Sequence, residues 1–241
     1  MPVITFANPK GGVGKTTSAI IAALELSRAG ASVAFFDLDP NANVVKWEGA
    51  RESQGKETDI TIVPRPSDIE DVLQNIEDLE ESHDYVIVDL EGTRDKIVTY
   101  TLSATDLVLI PTNGSTMEVI QGADTVRLIE STSKMTRRDI PFSFVFTRMN
   151  AAFQTIDEKK VKAALEANSR PYFNTRIVSR SAYSEIFRES STLQEIRDEV
   201  VRQSKDWVPS RKEKAVNKID TAIKNGTEFV EEIIQALAEG Q

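Results

Sequence analysis

Residues 3–17, VITFANPKGGVGKTT, carry a short apolar run into a glycine-rich loop and out into a segment of helix formers. This strand–loop–helix order constrains the fold more than any other stretch. Val3–Ala7 shows little polar alternation, so it reads as a strand covered on both faces, as in a parallel sheet. The pattern recurs. Lys15–Arg28 reads as a helix stopped by Gly30. Ser32–Asp37 (SVAFFD), Ile60–Val63, Tyr85–Asp89 (YVIVD), Leu107–Pro111 (LVLIP) and Phe142–Phe146 (FSFVF) read as further strands. Ile69, Val72, Leu73 and Ile76 keep helical spacing between two of them. The alternation predicts an α/β fold: a doubly wound, mostly parallel sheet flanked by helices.

The last third reads as more helical. Ser67–Glu70, Thr155–Glu158, Thr192–Glu195 and Ser210–Glu213 have the S/T-x-x-E form of a capping box. Tyr172–Val178 predicts a last strand, and Asn225-Gly226 predicts a break between two C-terminal helices. We expect residues 1–197 to form one domain, with 198–241 packed on it as helices.

The loop departs from the usual phosphate-loop pattern, G-x-x-x-x-G-K-[ST]. Counting back from Gly14-Lys15-Thr16, the first glycine gives way to Pro9, and a second lysine, Lys10, follows it. Gly11, Gly12 and Gly14 still allow close backbone approach, with N–H groups and a helix N-terminus turned toward an anion. Val13 and Thr17 complete the cradle, Lys15 is placed for the β- and γ-phosphates, and Thr16 offers a hydroxyl to Mg2+.

The form K-G-G-x-G-K-[ST]-T resembles the deviant Walker A loop of the ParA/MinD superfamily of P-loop ATPases, closest to its short ParA-type partition members. The resemblance runs from residue 1 to about 197 and is strongest over 8–17 and 33–40. It implies ATP and Mg2+ as cofactors and a homodimer formed with ATP. It also implies that Lys10 reaches the partner subunit's nucleotide, acting in trans as an arginine finger does. Asp37-Leu38-Asp39-Pro40-Asn41 resembles the family's D-x-D-P-Q segment. By that resemblance Asp39 handles the attacking water and Asp37 lies near the metal. Val86–Asp89 resembles a Walker B strand, with Asp89 holding Mg2+ through water. Leu90-Glu91-Gly92-Thr93 departs from the family's small, proline-rich turn, which points to slow or partner-stimulated hydrolysis; Gly92 is the candidate γ-phosphate sensor. Phe146–Asn150 falls where the family contacts adenine, making Arg148 and Asn150 candidates.

Composition limits what such an ATPase could serve. The chain has 241 residues with 29 Lys and Arg against 38 Asp and Glu, a net charge of −9, which argues against constitutive, charge-driven nucleic-acid binding and leaves room for a local basic patch or one assembled only in a dimer. With no cysteine, thiolate metal sites and iron–sulfur clusters are excluded, and His83 alone builds no His-rich site. The N-terminal residues lack the pattern of a signal peptide, and no run approaches the roughly 18 apolar residues of a membrane span, so a cytoplasmic location is expected. The resemblance implies non-specific DNA binding in the ATP state, nucleoid association, and a centromere-binding or cargo adaptor as partner. Candidate DNA contacts are Arg176, Arg180 and Arg188, or Arg211, Lys214 and Lys218, which share one helical face. Alternatives are a conjugation, DNA-transfer or other cargo-positioning ATPase, and a MinD-like peripheral membrane ATPase. The last fits poorly: the stripe Phe229, Val230, Ile233, Ile234, Leu237 is flanked by Glu228, Glu231, Glu232 and Glu239, so no stable membrane association is expected. An amide-forming metabolic enzyme on the same scaffold lacks any carboxylate-substrate signature.

Overall fold

The computed structural model describes residues 1–91, 96–151 and 153–240, and for 116–121 the backbone alone. Six strands form one sheet: β1 (Val3–Asn8), β2 (Val33–Asp37), β3 (Ile60–Pro64), β4 (Tyr85–Glu91), β5 (Leu107–Thr112) and β6 (Phe142–Phe146). Their order is β3-β2-β4-β1-β5-β6, and every neighbouring pair is parallel. β4 and β1 sit in the middle, and β1 and its other neighbour β5 are buried along their whole length.

Alternate strand residues feed two separate cores, because successive side chains point to opposite faces. Ile4, Phe6, Phe35 and Ile87 join the core under α1 (Lys15–Arg28), α2 (Asn43–Ser53), α7 (Ser181–Arg188), α8 (Leu193–Gln203) and α9 (Pro209–Glu239). Val3, Ala7, Phe36 and Val88 join the other, under α3 (Asp71–Ser82), α4 (Lys96–Ser103), α5 (Thr116–Thr136) and α6 (Ile156–Ala167). The predicted doubly wound sheet is therefore present, and the apolar strands lacked alternation because both faces are covered.

Local signals held in part. Gly30, at φ 95°, ends α1 as expected, with Gly30 N–H on Ser27 O and Ala31 N–H on Leu26 O. Thr192 and Glu195 close a complete capping box on α8. Thr155 caps α6 through the Glu158 N–H, but the buried Glu158 carboxylate turns instead to Arg176 and Lys162.

Four expectations are corrected. α3 starts at Asp71 rather than behind Ser67, because Asp68 Oδ1 accepts the Glu70 N–H and folds 68–70 into a turn. α9 starts behind Val208 with Pro209 in its first turn and no side-chain cap, so Ser210–Glu213 is no capping box. Tyr172–Val178 is no strand: it makes isolated bridges at Tyr172 and Val178 only. Side chains of α9 take N–H groups a strand would use, with Glu232 accepting from Asn174 and Thr175 and Asn225 Oδ1 accepting from Val178. Finally, α9 runs unbroken through Asn225-Gly226. Gly226 is there for close approach: a Cβ would lie 3.0 Å from Glu25 Cγ and 3.2 Å from Ile21 Cγ2 of α1.

Candidate active site

The carboxyl ends of β1, β2 and β4 lie side by side, where open α/β sheets bind ligands. Register places Asp37 opposite Asp89, and Asp89 opposite Phe6. The loop from β1 into α1 closes over this edge. Asn8 anchors it, donating from Nδ2 to Pro111 O at 2.8 Å and accepting the Lys10 N–H at 2.9 Å. Gly12 and Gly14 take φ 79° and 97°, a region that disfavours any Cβ. Gly14 is the N-cap of α1, and with no side chain to cap the helix, the first-turn N–H groups are left for a ligand. Lys15 is buried and its Nζ curls back to Lys10 O at 3.3 Å. Lys10 is half-buried and makes no ion pair among the described residues.

Beneath the loop the acidic residues divide the work. Asp37 Oδ2 accepts the N–H groups of Val44 and Val45 at 2.9 and 3.2 Å, capping α2, whose N-cap Ala42 has no capping side chain and sits at φ 47°. Asp37 Oδ1 is buried without a hydrogen-bond partner among the described residues. Burial raises the Asp37 carboxyl above its ordinary value, against the pull of those two N–H groups. Asp89 is fully buried and neither oxygen has a hydrogen-bond partner among the described residues. Desolvation pushes it up to about 7; the Thr16 hydroxyl pulls it down without closing a bond of normal geometry, and the Asp37 carboxylate pushes it up again. Asp39 Oδ1 accepts both the N–H and the Nδ2 of Asn41 at 2.8 Å.

Buried carboxylate oxygens without donors are rare unless a ligand satisfies them. Asp89, Asp37 Oδ1 and Thr16 fit a divalent cation. No three acidic or histidine side chains among the described residues form a cage able to hold one unaided. That suits Mg2+, which keeps waters and shares phosphate oxygens. β4 continues two residues past Asp89, pairing Glu91 with Asn8, and Gly92 lies outside the described residues.

The sequence reading missed Thr147. Its hydroxyl donates to Val13 O at 2.5 Å, its N–H donates to Thr112 O at 2.7 Å, and it packs where a Gly14 Cβ would stand, 3.3 Å away. A threonine after a buried strand carries no signal of this. Beside it, a cavity of about 480 Å3 runs along Gly14, Thr17 and Ser18 and is walled by Arg148, Ile177–Arg180 and Tyr183. Arg148 lines this cavity and Asn150 does not.

The proposed DNA residues separate. Arg176 is held on buried Glu158 at 3.3 Å, and Arg188 pairs with Glu185 and Glu189. Arg180 lies in the cavity wall. On α9, Arg211 stacks 4.2 Å from the Trp207 ring centroid, while Lys214 and Lys218 are exposed and unpaired among the described residues.

Sheet order and loop together define a P-loop protein of the ParA/MinD superfamily. The family model described as VirC1 protein matches residues 1–236, and the chain belongs to that family. It is 33% identical over 193 residues to Protein ParA of Rhizobium radiobacter, covering 80% of this chain and 85% of that one. The solved structure of pnob8 ParA superposes with TM-score 0.69 at 18% identity, covering 100% of this chain and 99% of that one. An ATP complex of Cyanothece McdA superposes with TM-score 0.65 at 20% identity, covering 93% and 96%.

Proposed function

We propose that this protein is an ATP- and Mg2+-dependent ATPase that dimerises around nucleotide, binds DNA non-specifically in its ATP state, and drives plasmid or chromosome partition. A centromere-binding or cargo adaptor protein would stimulate its hydrolysis. One observation carries the reading: the Lys15–Thr16 loop faces the buried Asp89, and among the described residues neither Asp89 oxygen has a hydrogen-bond partner and the second lysine of the loop, Lys10, makes no ion pair. Kinship with a protein named ParA and likeness to an ATP-bound relative support it.

The residues divide as follows. First-turn N–H groups of α1 and Lys15 hold the phosphates, and Lys10 serves the partner's nucleotide. Thr16 and Asp89, with Asp37 beside them, hold Mg2+, which when bound offsets the charge developing on the transferring phosphoryl group. The Asp39 oxygen not engaged by Asn41 orients the attacking water. Asp37 also ties this site to the start of α2.

DNA contact is assigned to Arg211, Lys214 and Lys218, since Arg176 and Arg188 are already spent on carboxylates. A membrane role is disfavoured because Phe229, Val230 and Ile233 of the C-terminal stripe are core residues, and no described helix is long and apolar enough to cross a membrane.

The test is binding to a random-sequence duplex with ATP, with ADP and without nucleotide, at two salt concentrations. The reading expects salt-sensitive binding with ATP alone. Equal binding in all three states, or none in any, contradicts it.

A further inference from the structure

The segment that carries Asp39 is tied down at more points than a surface turn needs. Leu38 N–H donates to Asp89 O at 3.0 Å, and Arg65 Nη1 donates to Leu38 O at 3.4 Å. Ala42 N–H donates to Asp39 O at 2.8 Å. Lys46, in the first turn of α2, donates from Nζ to Asn41 O at 2.7 Å. Asp37 Oδ2 holds the same turn through the Val44 and Val45 N–H groups. The shape has a cost, since Ala42 takes φ 47°, a left-handed backbone that disfavours a side chain.

Asn41 does what none of these contacts does: it holds the Asp39 side chain. Its main-chain N–H and its Nδ2 both donate to Asp39 Oδ1, each at 2.8 Å. The main-chain bond is an Asx turn, open to any residue at 41 except proline. The carboxamide bond needs a side-chain donor that reaches back two residues. Its direction follows from chemistry, because a carboxylate oxygen accepts and only the NH2 end of the amide donates. Asp39 is buried, 8% exposed, while Asn41 is exposed. Two donors on one oxygen keep the carboxyl group from turning. Oδ2 accepts no hydrogen bond among the described residues.

We propose that Asn41 is a positioning residue for ATP hydrolysis: its carboxamide fixes the Asp39 carboxyl group so that Oδ2 meets the attacking water. The proposal rests on the nucleotide reading above and concerns its hydrolytic step. In that step the water oxygen bonds to the γ-phosphorus as the bond from that phosphorus to the bridging oxygen breaks. The bridging oxygen keeps the electron pair and leaves with ADP. One water proton stays on the new phosphate, and the other leaves by way of Oδ2 to solvent. A carboxyl group free to rotate meets the water in many orientations, and a misplacement of about 1 Å costs on the order of a hundredfold in rate. Lys46 and Ala42 fasten the Asn41 backbone to α2 and to Asp39 O, so the clamp has a fixed base.

The test compares the full chain with Asn41→Ala and Asn41→Gln in three measurements: phosphate release at saturating ATP with Mg2+, affinity for ATPγS, and Tm. Asn41→Ala should lower kcat by about tenfold or more. It should leave ATPγS affinity within about twofold and Tm within about 2 °C, as for an exposed side chain. Asn41→Gln keeps the amide donor on one more methylene and should regain most of the rate. The main-chain N–H survives in both variants, so the gap between them reads the carboxamide alone. A role confined to the turn would lower Tm and affinity together and would not separate the two. If Asn41→Ala hydrolyses ATP at the parent rate, if it loses affinity as much as rate, or if Asn41→Gln is as slow as Asn41→Ala, the proposal is overturned while the nucleotide reading stands. A parent that binds ATPγS but releases no phosphate also overturns it. If the parent binds no ATPγS, the nucleotide reading falls and takes this inference with it.

Discussion

The Thr147 hydroxyl donates to the Val13 carbonyl, joining the end of β6 to the phosphate loop across 134 residues of sequence. The same residue fills the space beside Gly14. The loop's shape is therefore set from outside as well as by its glycines. Thr147→Val keeps the side chain's shape and removes the donor, leaving a buried carbonyl short of its partner. The expected loss is about 1–3 kcal/mol, or a fall in Tm of roughly 2–12 °C for a chain this size. ATP affinity should fall with it. Scanning calorimetry and nucleotide titration check both, and an unchanged affinity would show that the loop holds its shape alone.

Gly226 gives a prediction whose sign separates two readings. Alanine in a helix interior is about 1 kcal/mol better than glycine, so Gly226→Ala would stabilise a helix merely broken or loosened there. In the structure the new methyl meets Glu25 and Ile21 of α1 at 3.0 and 3.2 Å. Overpacking of that kind costs about 1–3 kcal/mol. We expect the variant to melt lower than the parent by thermal denaturation; a rise in Tm would argue against close α1–α9 packing.

A pH dependence follows from Glu195. Burial raises its carboxyl, but the Arg51 guanidinium and the Thr192 N–H outweigh that and hold it below the ordinary 4.5. A depressed folded value means the stabilisation is present above pH 4.5 and is lost as pH falls through the folded value. Glu195→Gln should therefore cost stability at pH 7. The cost is about 1–2 kcal/mol after discounting for solvent, since the Glu195 side chain is 37% exposed. Urea melts at pH 7 and pH 3.5 check it: the difference from the parent should shrink at the lower pH, and a difference of equal size at both would contradict the account.

The two basic clusters are told apart by charge reversal. Lys214→Glu with Lys218→Glu should leave Tm nearly unchanged, because both side chains are exposed and unpaired among the described residues. The pair should lower ATP-dependent duplex affinity and flatten its salt slope by about 2. Arg188→Glu should do neither to a comparable extent. Filter binding across a salt series reads the slopes, and the opposite ranking would move the DNA surface to α7.

Much of the fold was legible because the strands are short apolar runs with a parallel sheet's lack of alternation, and because Gly30 and Thr192 act within one turn of themselves. The phosphate loop was legible for the same reason: Lys15, Thr16 and the glycines lie within a single connection. The starts of α3 and α9 failed locally, through the Asp68–Glu70 turn and Pro209; the other failures depended on distant partners. Asn225-Gly226 has the form of a break, yet Asn225 satisfies Val178 N–H and Arg176 O while Gly226 admits α1. Glu158 looked like half of a capping box and is an internal counter-ion for Arg176. Asp37 and Asp89 could be named from their positions at strand ends. That one Asp37 oxygen caps α2 while both Asp89 oxygens lack donors among the described residues is a matter of three-dimensional placement. Arg176, Arg180 and Arg188 look alike in sequence, and their surroundings give them different neighbours.

The central claim is that Lys10 makes this loop serve two subunits. The direct measurement is light scattering of the unaltered protein and of Lys10→Ala, with Mg2+ and a slowly hydrolysed ATP analogue, alongside nucleotide titration of each. The account predicts that the unaltered protein doubles in mass with nucleotide, and that Lys10→Ala still binds nucleotide but stays monomeric. Dimerisation of Lys10→Ala equal to that of the parent would contradict it.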